Sequence, residues 1–369
     1  MIIGRTPHRI SFFGGGTDYP SYYLQQGGKV LGTAIDKYCY LSVRHLPPFF
    51  QYKHRVVYSQ IENINEIENI DHPSVRAVMQ YLQIDKGISI HHDGDIPAKS
   101  GMGSSSAFTV GLINGLYALN ERMISKNELA SMAIHVEQNI IKENVGSQDQ
   151  TFATHGGLNL IEFNKNGSIV VQPVIMSADR LEAFEGNLML FFSGLSRIAS
   201  EIAKEQIDNT NNNLASLLQM KALVEQSYEI LTDPNCNLDQ FGELLHESWE
   251  LKKRLSSKIT NPIINQVYEL ARNAGAVGGK LLGAGGGGFM VFYVPLAKQS
   301  RVRQALKGFL NIPFKFDFEG SKIIVYQPSR ERKYALPHDS LNIRSGRNKG
   351  DASSDRHWDV HDGLRSKDF

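Results

Sequence analysis

The stretch Pro97-Ala98-Lys99-Ser100-Gly101-Met102-Gly103-Ser104-Ser105-Ser106-Ala107 constrains the chain most. Before it, Ile88-Ser89-Ile90-His91 alternates as a half-buried strand does. After it, Phe108, Leu112, Leu116 and Leu119 fall at helical spacing. The pattern predicts a strand, a glycine-serine loop and a helix start. Two glycines let backbone N–H groups turn toward a ligand with no Cβ in the way. Three serines offer hydroxyls and helix caps. A helix N-terminus adds unpaired donors and a partial positive charge. Together these features suit an anion, most naturally phosphate; they equally suit an ordinary helix cap on a tight turn. No lysine follows Gly103, so the loop is not a Walker A, and it lacks the G-x-G-x-x-G of a dinucleotide site.

Two more glycine stretches share the chain. A strand over residues 1–13 leads into Phe12-Phe13-Gly14-Gly15-Gly16-Thr17-Asp18-Tyr19-Pro20, a sharp turn with exposed backbone. Gly278-Gly279-Lys280-Leu281-Leu282-Gly283-Ala284-Gly285-Gly286-Gly287-Gly288-Phe289 holds seven glycines in twelve residues. That density argues against strand or helix and for a loop needing close backbone approach. Between them lies a helix opened by Ser125 and Glu128, a capping-box pair. Leu129, Ala133, Val136 and Ile140 cluster on one face, with Glu137 on its flank. A carboxylate there is either an edge residue reaching solvent or a buried functional group. Gly146-Ser147-Gln148-Asp149-Gln150 follows directly.

Strands are expected at 28–46 and 54–59, a surface loop or short helix at 61–71, and a helix from His72 to Leu82. Further strands are expected near 157–163, 168–174 and Leu188–Phe192. Helices follow near 197–208, 213–231, 237–256 and 262–273. Strands near 289–294 and 322–327 and a helix near 297–309 complete a small α+β domain in the second half. Length suggests two domains, 1–175 and 176–328, and sparse apolar residues suggest a disordered or loosely attached tail over 329–369. Arg197 stands near a helix start, against the dipole preference, as an anion-binding or a solvated arginine.

Lysine plus arginine number 39 and aspartate plus glutamate 38, so the net charge of +1 argues for neither a nucleic-acid nor a membrane partner. The N-terminus lacks the apolar run of a signal peptide, and Cys39 and Cys236 suit free thiols in a reducing cytoplasm.

The phosphate-like loop resembles the P-x-x-x-G-[LM]-G-S-S-[AS]-A signature of the GHMP kinases, the superfamily of galactokinase, homoserine kinase, mevalonate kinase and phosphomevalonate kinase. Arg9 falls on the arginine of that family's first motif, which reads P-G-R-x-x-x-x-G-E-H-T-D-Y in galactokinase-like members. Thr17-Asp18-Tyr19 falls on its T-D-Y. Gly15 and Gly16 replace a Glu-His pair that meets sugar hydroxyls, and the G-G-G-T-D form resembles heptose kinases and fucokinase relatives. Gly146 to Gln150 resembles the family's G-x-x-D-Q segment, and Lys280 to Gly288 its K-x-x-G-A-G-G-G-G motif.

The resemblance implies a two-domain α+β fold, with an N-terminal domain like ribosomal protein S5 and a ferredoxin-like C-terminal domain. It implies ATP and Mg²⁺ as cofactors and a small sugar or sugar-phosphate substrate, in a monomer or homodimer. Pro97, Ser100, Gly101, Met102, Gly103, Ser104, Ser105 and Ser106, with Gly285 and Gly286, would hold the nucleotide phosphates. Ser105 and Glu137 would bind the metal. Asp149 would face the acceptor hydroxyl with Arg9 beside it. Gly15, Gly16, Thr17, Asp18 and Arg197 would meet the substrate, Arg197 and Lys99 being candidates for a substrate phosphate. The heptose-kinase branch implies phosphorylation of the anomeric hydroxyl of D-glycero-D-manno-heptose 7-phosphate. The alternatives are an L-fucokinase-like sugar 1-kinase and a non-catalytic sugar-binding relative.

Overall fold

A computed structural model describes residues 1–194 and 199–327; Arg197 and the 329–369 tail lie outside the described residues. The first half runs β1 (Ile2–Phe13), α1 (Pro20–Gln26), β2 (Gly28–His45), β3 (His54–Val57), β4 (Ile61–Ile64), α2 (Pro73–Tyr81), β5 (Ile88–Gly94), α3 (Ser104–Leu119), α4 (Lys126–His135), α5 (Gln148–His155), β6 (Leu158–Phe163) and β7 (Ile169–Pro173). The second half runs α6 (Ala178–Gly186), β8 (Leu188–Phe192), α7 (Ala199–Asp208), α8 (Leu214–Thr232), α9 (Asp239–Arg254), α10 (Pro262–Ala274), β9 (Gly278–Leu281), β10 (Phe289–Tyr293), α11 (Gln299–Ala305), β11 (Leu310–Ile312) and β12 (Lys322–Tyr326).

The long strand β2 organises the first sheet. Its first half, Gly28–Thr33, pairs with β6, and its second, Cys39–His45, with β5. β1 lies along its other edge. The order is β12-β1-β2-β5-β3-β4, with β6 pairing β2 and β7 pairing β6, and among the described residues only β3 and β5 run parallel. The second sheet, β11-β8-β10-β9, is antiparallel throughout. The mixture of largely antiparallel sheets and, among the described residues, eleven α-helices is the α+β class the sequence implies.

One apolar core joins β1 to the second sheet and its helices. Phe12 meets Phe184 and Phe241 edge-on, at centroid separations of 5.7 and 5.4 Å, and Phe13 meets Phe241 at 5.0 Å. Each phenyl is fully buried, a contribution of about 1.5–3 kcal/mol. This clamp fixes the Gly14–Tyr19 turn against the second half.

Several elements depart from expectation. β12 does not complete the second sheet; it pairs antiparallel with β1 and so covers that edge of the first sheet. Residues 61–64 form strand β4, since Ile64 packs inward and Glu62 is spent on the backbone N–H groups of Asp71 and His72. Gly278 and Gly279 sit in strand β9, where a Cβ at Gly279 would lie 2.3 Å from the Phe292 ring. Helix α6 lacks a sequence expectation; Ser177 caps it through Arg180 N. Helix α4, capped by Ser125 and Glu128, passes at Val136 into a wider π-type turn, Val136–Ile141. That turn rotates the following residues, so Ile140 is exposed rather than on the apolar face, and Glu137 is buried.

Candidate active site

Helix α3 begins without a side-chain cap. Its N-cap is Gly103 at φ 75°, and none of the three serines caps it. The first-turn N–H groups are therefore left for a ligand, which is the anion reading of the loop rather than the capping one. Gly101, at φ 82°, and Gly283, at φ 70°, press their backbones together: a Cβ on Gly283 would lie 2.6 Å from Gly101 Cα. The side-chain oxygens of Ser100 and Ser104 are buried and unpartnered.

These residues line a cavity of about 480 Å³ that Asp149 also lines. Asp149 stands in the first turn of α5, a helix the sequence pattern did not reveal. Arg9 donates from Nε and from one terminal nitrogen to its two carboxylate oxygens, both at 2.8 Å, a bidentate pair. The remaining Arg9 nitrogen donates to Gly101 O at 2.7 Å. One guanidinium thus ties β1, the glycine-serine loop and α5 together. Gly103 is close enough that a Cβ would meet both Arg9 and Asp149, at 3.3 and 3.4 Å.

Asp18 is buried beneath the acceptor wall. Its Oδ1 accepts from Gly16 N at 3.0 Å, and its Oδ2 lies 3.4 Å from Gln148 N at the start of α5. Burial first, and then the charge of Asp149, push its carboxyl up to about 6. A Cβ at Gly146 would lie 1.9 Å from Asp18 Oδ2, so only glycine fits there.

The site residues expected from sequence divide. Arg9, Gly15, Gly16, Asp18, Ser100, Gly101, Gly103, Ser104, Ser105, Ser106 and Asp149 line the cavity, as does the exposed Lys99. Thr17 does not: its hydroxyl is spent on Gly14 O and Lys29 O inside the turn. Pro97 lies off the cavity lining, and the Met102 side chain is core, its carbonyl accepting from Arg9 N. Gly285 and Gly286 stand behind the wall against Ile259, whose carbonyl accepts from Gly286 N. Gly283 and Ala284 take their place at the cavity.

Glu137 is fully buried behind Ser106. Its Oε2 accepts from the Ser106 hydroxyl at 2.8 Å and from the Gln150 amide, while Oε1 has no partner. Burial pushes its carboxyl up to about 7. Ser106, not Ser105, is the serine that touches it. Among the described residues no three His, Cys, Asp or Glu converge as a metal cage. One unpartnered carboxylate oxygen beside the Ser106 hydroxyl is a hard donor set that fits Mg²⁺, which completes its shell with water and phosphate oxygens.

Sequence reasoning missed Ser11, Tyr19, Gln148, Lys252 and Lys280 at the cavity. Tyr19, Gln148 and Lys280 lie inside recognised motifs, which carried the available signal; Ser11 and Lys252 had none so direct.

Comparison with known proteins adds to this geometry. Residues 71–157 match the family model of the GHMP kinases N terminal domain, and residues 234–312 that of the GHMP kinases C terminal domain. The chain is 28% identical to a D-glycero-alpha-D-manno-heptose 7-phosphate kinase of Campylobacter jejuni, over 87% of this chain and 98% of that protein. It is 24% identical to a bifunctional fucokinase/GDP-fucose pyrophosphorylase of Arabidopsis thaliana, over 84% of this chain and 31% of that protein. Among solved structures it is similar to a D-glycero-D-manno-heptose 1-phosphate kinase of Bacteroides thetaiotaomicron, with TM-score 0.65, 22% identity, and 87% and 98% of the two chains covered. Among the described residues no helix is long and apolar enough to cross a membrane.

Proposed function

This chain belongs to the GHMP kinases, and on that footing we propose that it phosphorylates a heptose phosphate, transferring the γ-phosphoryl group of ATP to the anomeric hydroxyl of D-glycero-D-manno-heptose 7-phosphate. It is an ATP-dependent phosphotransferase with a sugar acceptor. The observation that carries the reading is the bidentate Arg9–Asp149 pair beside an uncapped helix start in one cavity. Two of the three relatives named above are by name kinases of a heptose phosphate, one a 7-phosphate and the other a 1-phosphate, and the third is a fucokinase.

Phosphoryl transfer is mostly positioning and charge stabilisation. The N–H groups at the start of α3 and the free Ser100 and Ser104 hydroxyls would cradle the β- and γ-phosphates. Glu137 and Ser105 would hold Mg²⁺, with Ser106 and Gln150 fixing the carboxylate; the ion would supply charge neutralisation between the phosphates. Asp149 would accept the proton of the sugar hydroxyl. The new bond joins that oxygen to the γ-phosphorus, the bond to the β–γ bridging oxygen breaks, and ADP leaves. Arg9 would hold Asp149 in line and face the charge on the transferring group. Gly15, Gly16 and Asp18 would meet the sugar, the two glycines leaving room for a long polyol. We place the boundary between the two domains near residue 175.

The test is ATP turnover against heptose 7-phosphate, heptose 1-phosphate, free heptose, L-fucose and galactose, with ³¹P NMR locating the new phosphate. Turnover of heptose 7-phosphate with an anomeric phosphate product is expected. Preference for L-fucose would replace this reading with the fucokinase-like one, and no turnover of any sugar would favour a non-catalytic relative.

A further inference from the structure

Two lysines that the transfer scheme does not use line the same cavity, and both are buried: Lys252 is 7% and Lys280 2% exposed. Among the described residues neither ammonium is bonded to a carboxylate. Lys280, on β9, donates to Phe12 O at 2.7 Å. Lys252, in the last turn of α9, donates to Leu281 O and Gly283 O at 2.8 and 2.6 Å. An ammonium carries three donors, so each retains capacity. Burial holds Lys280 down at about 7 and Lys252 well below its usual value. Lys252 also feels the charges of Lys280 and Arg9, and Lys280 those of Arg9 and Asp18. Buried cations of this kind are unfavourable unless an anion joins them.

The neighbours are also unfinished. The Ser11 hydroxyl and the Gln148 side-chain oxygen are buried without partners. Both flank Gly15, whose Cβ, if present, would lie 3.7 Å from Ser11 Oγ and 3.8 Å from the Gln148 amide nitrogen. Lys280 reaches the carbonyl of the residue after Ser11, so the ammonium and the free hydroxyl share one corner.

We propose that Lys252 and Lys280, with the Ser11 hydroxyl, form a subsite for a phosphate dianion on the acceptor side of the cavity. The inference rests on the kinase reading above and names how a phosphorylated sugar is selected over a free one. The anion has two sources, the phosphate already on the acceptor and the terminal phosphate of the nucleotide, and the acceptor's is favoured by the corner that Lys280 shares with Ser11 and Gly15. Gln148 then accepts from a sugar hydroxyl.

The experiment is calorimetric titration of wild type, Lys280→Met and Lys252→Met with heptose 7-phosphate, free heptose and a non-hydrolysable ATP analogue. Loss of a charge-assisted bond predicts about tenfold or weaker binding of heptose 7-phosphate, with free heptose and the analogue within twofold. Weakening of the analogue alone assigns the subsite to the nucleotide and keeps the dianion. Unchanged affinity for both phosphates in folded variants overturns the subsite. Should the variants fail to fold, wild type carries the test through NMR titration of its lysine ammonium groups. Heptose 7-phosphate or the analogue must raise the titration midpoints of both buried lysines and free heptose must not; unchanged midpoints overturn it. Wild-type turnover of heptose 7-phosphate alongside unaffected variants sinks the subsite and leaves the kinase reading intact. Wild type that turns over no sugar sinks the kinase reading, while the analogue titration still decides the anion.

Discussion

Arg9 uses its guanidinium on two partners at once, the Asp149 carboxylate and the Gly101 carbonyl. An ordinary loop aspartate would tolerate asparagine, which has nearly the same size and still accepts hydrogen bonds. An aspartate that takes the sugar proton would not. Asp149→Asn is therefore expected to lower kcat by about 10²–10⁴-fold, with ATP affinity nearly unchanged; near-wild-type kcat would remove Asp149 from the transfer step. Arg9→Met is expected to depress kcat as well. The double variant should lose less than the product of the two losses, because the pair acts as a unit. The serines separate the same way. Ser106→Ala strips a hydrogen bond from buried Glu137 and should cost about 1–3 kcal/mol of stability. Ser105→Ala, at an exposed position, should weaken Mg²⁺-dependent turnover while leaving the melting temperature alone. A denaturation curve beside an Mg²⁺ titration of activity tells them apart, and an equal fall in melting temperature for both would merge their roles.

At the scale of elements, the site is two glycine loops closed on each other and an aspartate at a helix start. The loops were legible because glycine is nearly alone in tolerating positive φ and backbone contact, so Gly101, Gly103 and Gly283 advertise their geometry in their identity. What was not legible depended on partners distant in the chain. Lys252 is followed by Lys253 and Arg254 in the last turn of α9, a run that reads as a solvated, dipole-matched helix end. Only the approach of the 281–283 loop buries the first of the three. Glu137 could not be resolved between edge and interior because a π-type turn breaks the regular period just where it sits. β12 reads as a strand but says nothing of its partner. The contact of the two loops gives its own prediction. Gly283→Ala forces a Cβ to 2.6 Å from Gly101 Cα at a φ of 70°, so the loops must part. Strain of about 1–3 kcal/mol should appear as lower stability together with weaker ATP binding. Unaltered nucleotide affinity in a correctly folded variant would show that the Gly101 loop does not hold phosphate.

Across the whole molecule, the buried groups of the site decide how stability follows pH. Asp18 and Glu137, raised to about 6 and about 7 by burial, keep in the fold a proton that the unfolded chain has already lost. They therefore lower stability as pH rises through about 4 to 7. His8, held down at about 4 by burial, does the reverse between about 4 and 6.5, since there the unfolded chain holds a proton the fold excludes. His155, also near 4, acts in the same direction with a smaller weight because it is partly exposed. These contributions oppose one another through the acid range. Above it the lowered lysines act in one direction, and the Cys39 thiol, pushed up to about 12 by burial, opposes them only from about pH 9. Lys280 sheds its proton in the fold near 7 but keeps it in the unfolded chain to about 10.5, so the unfolded state binds more protons throughout that window and stability rises with pH. A single such group contributes at most about 1.4 kcal/mol per pH unit. The ligand-free protein is thus expected to gain stability between pH 7 and pH 9, and Lys280→Met should flatten that rise. Bound phosphate should flatten it as well, because an anion beside the ammonium keeps it protonated. Scanning calorimetry at pH 7, 8 and 9 on both proteins reads this directly. Parallel pH slopes in wild type and Lys280→Met would mean that the buried ammonium keeps its proton across this range, and that the cavity is cationic before any ligand arrives.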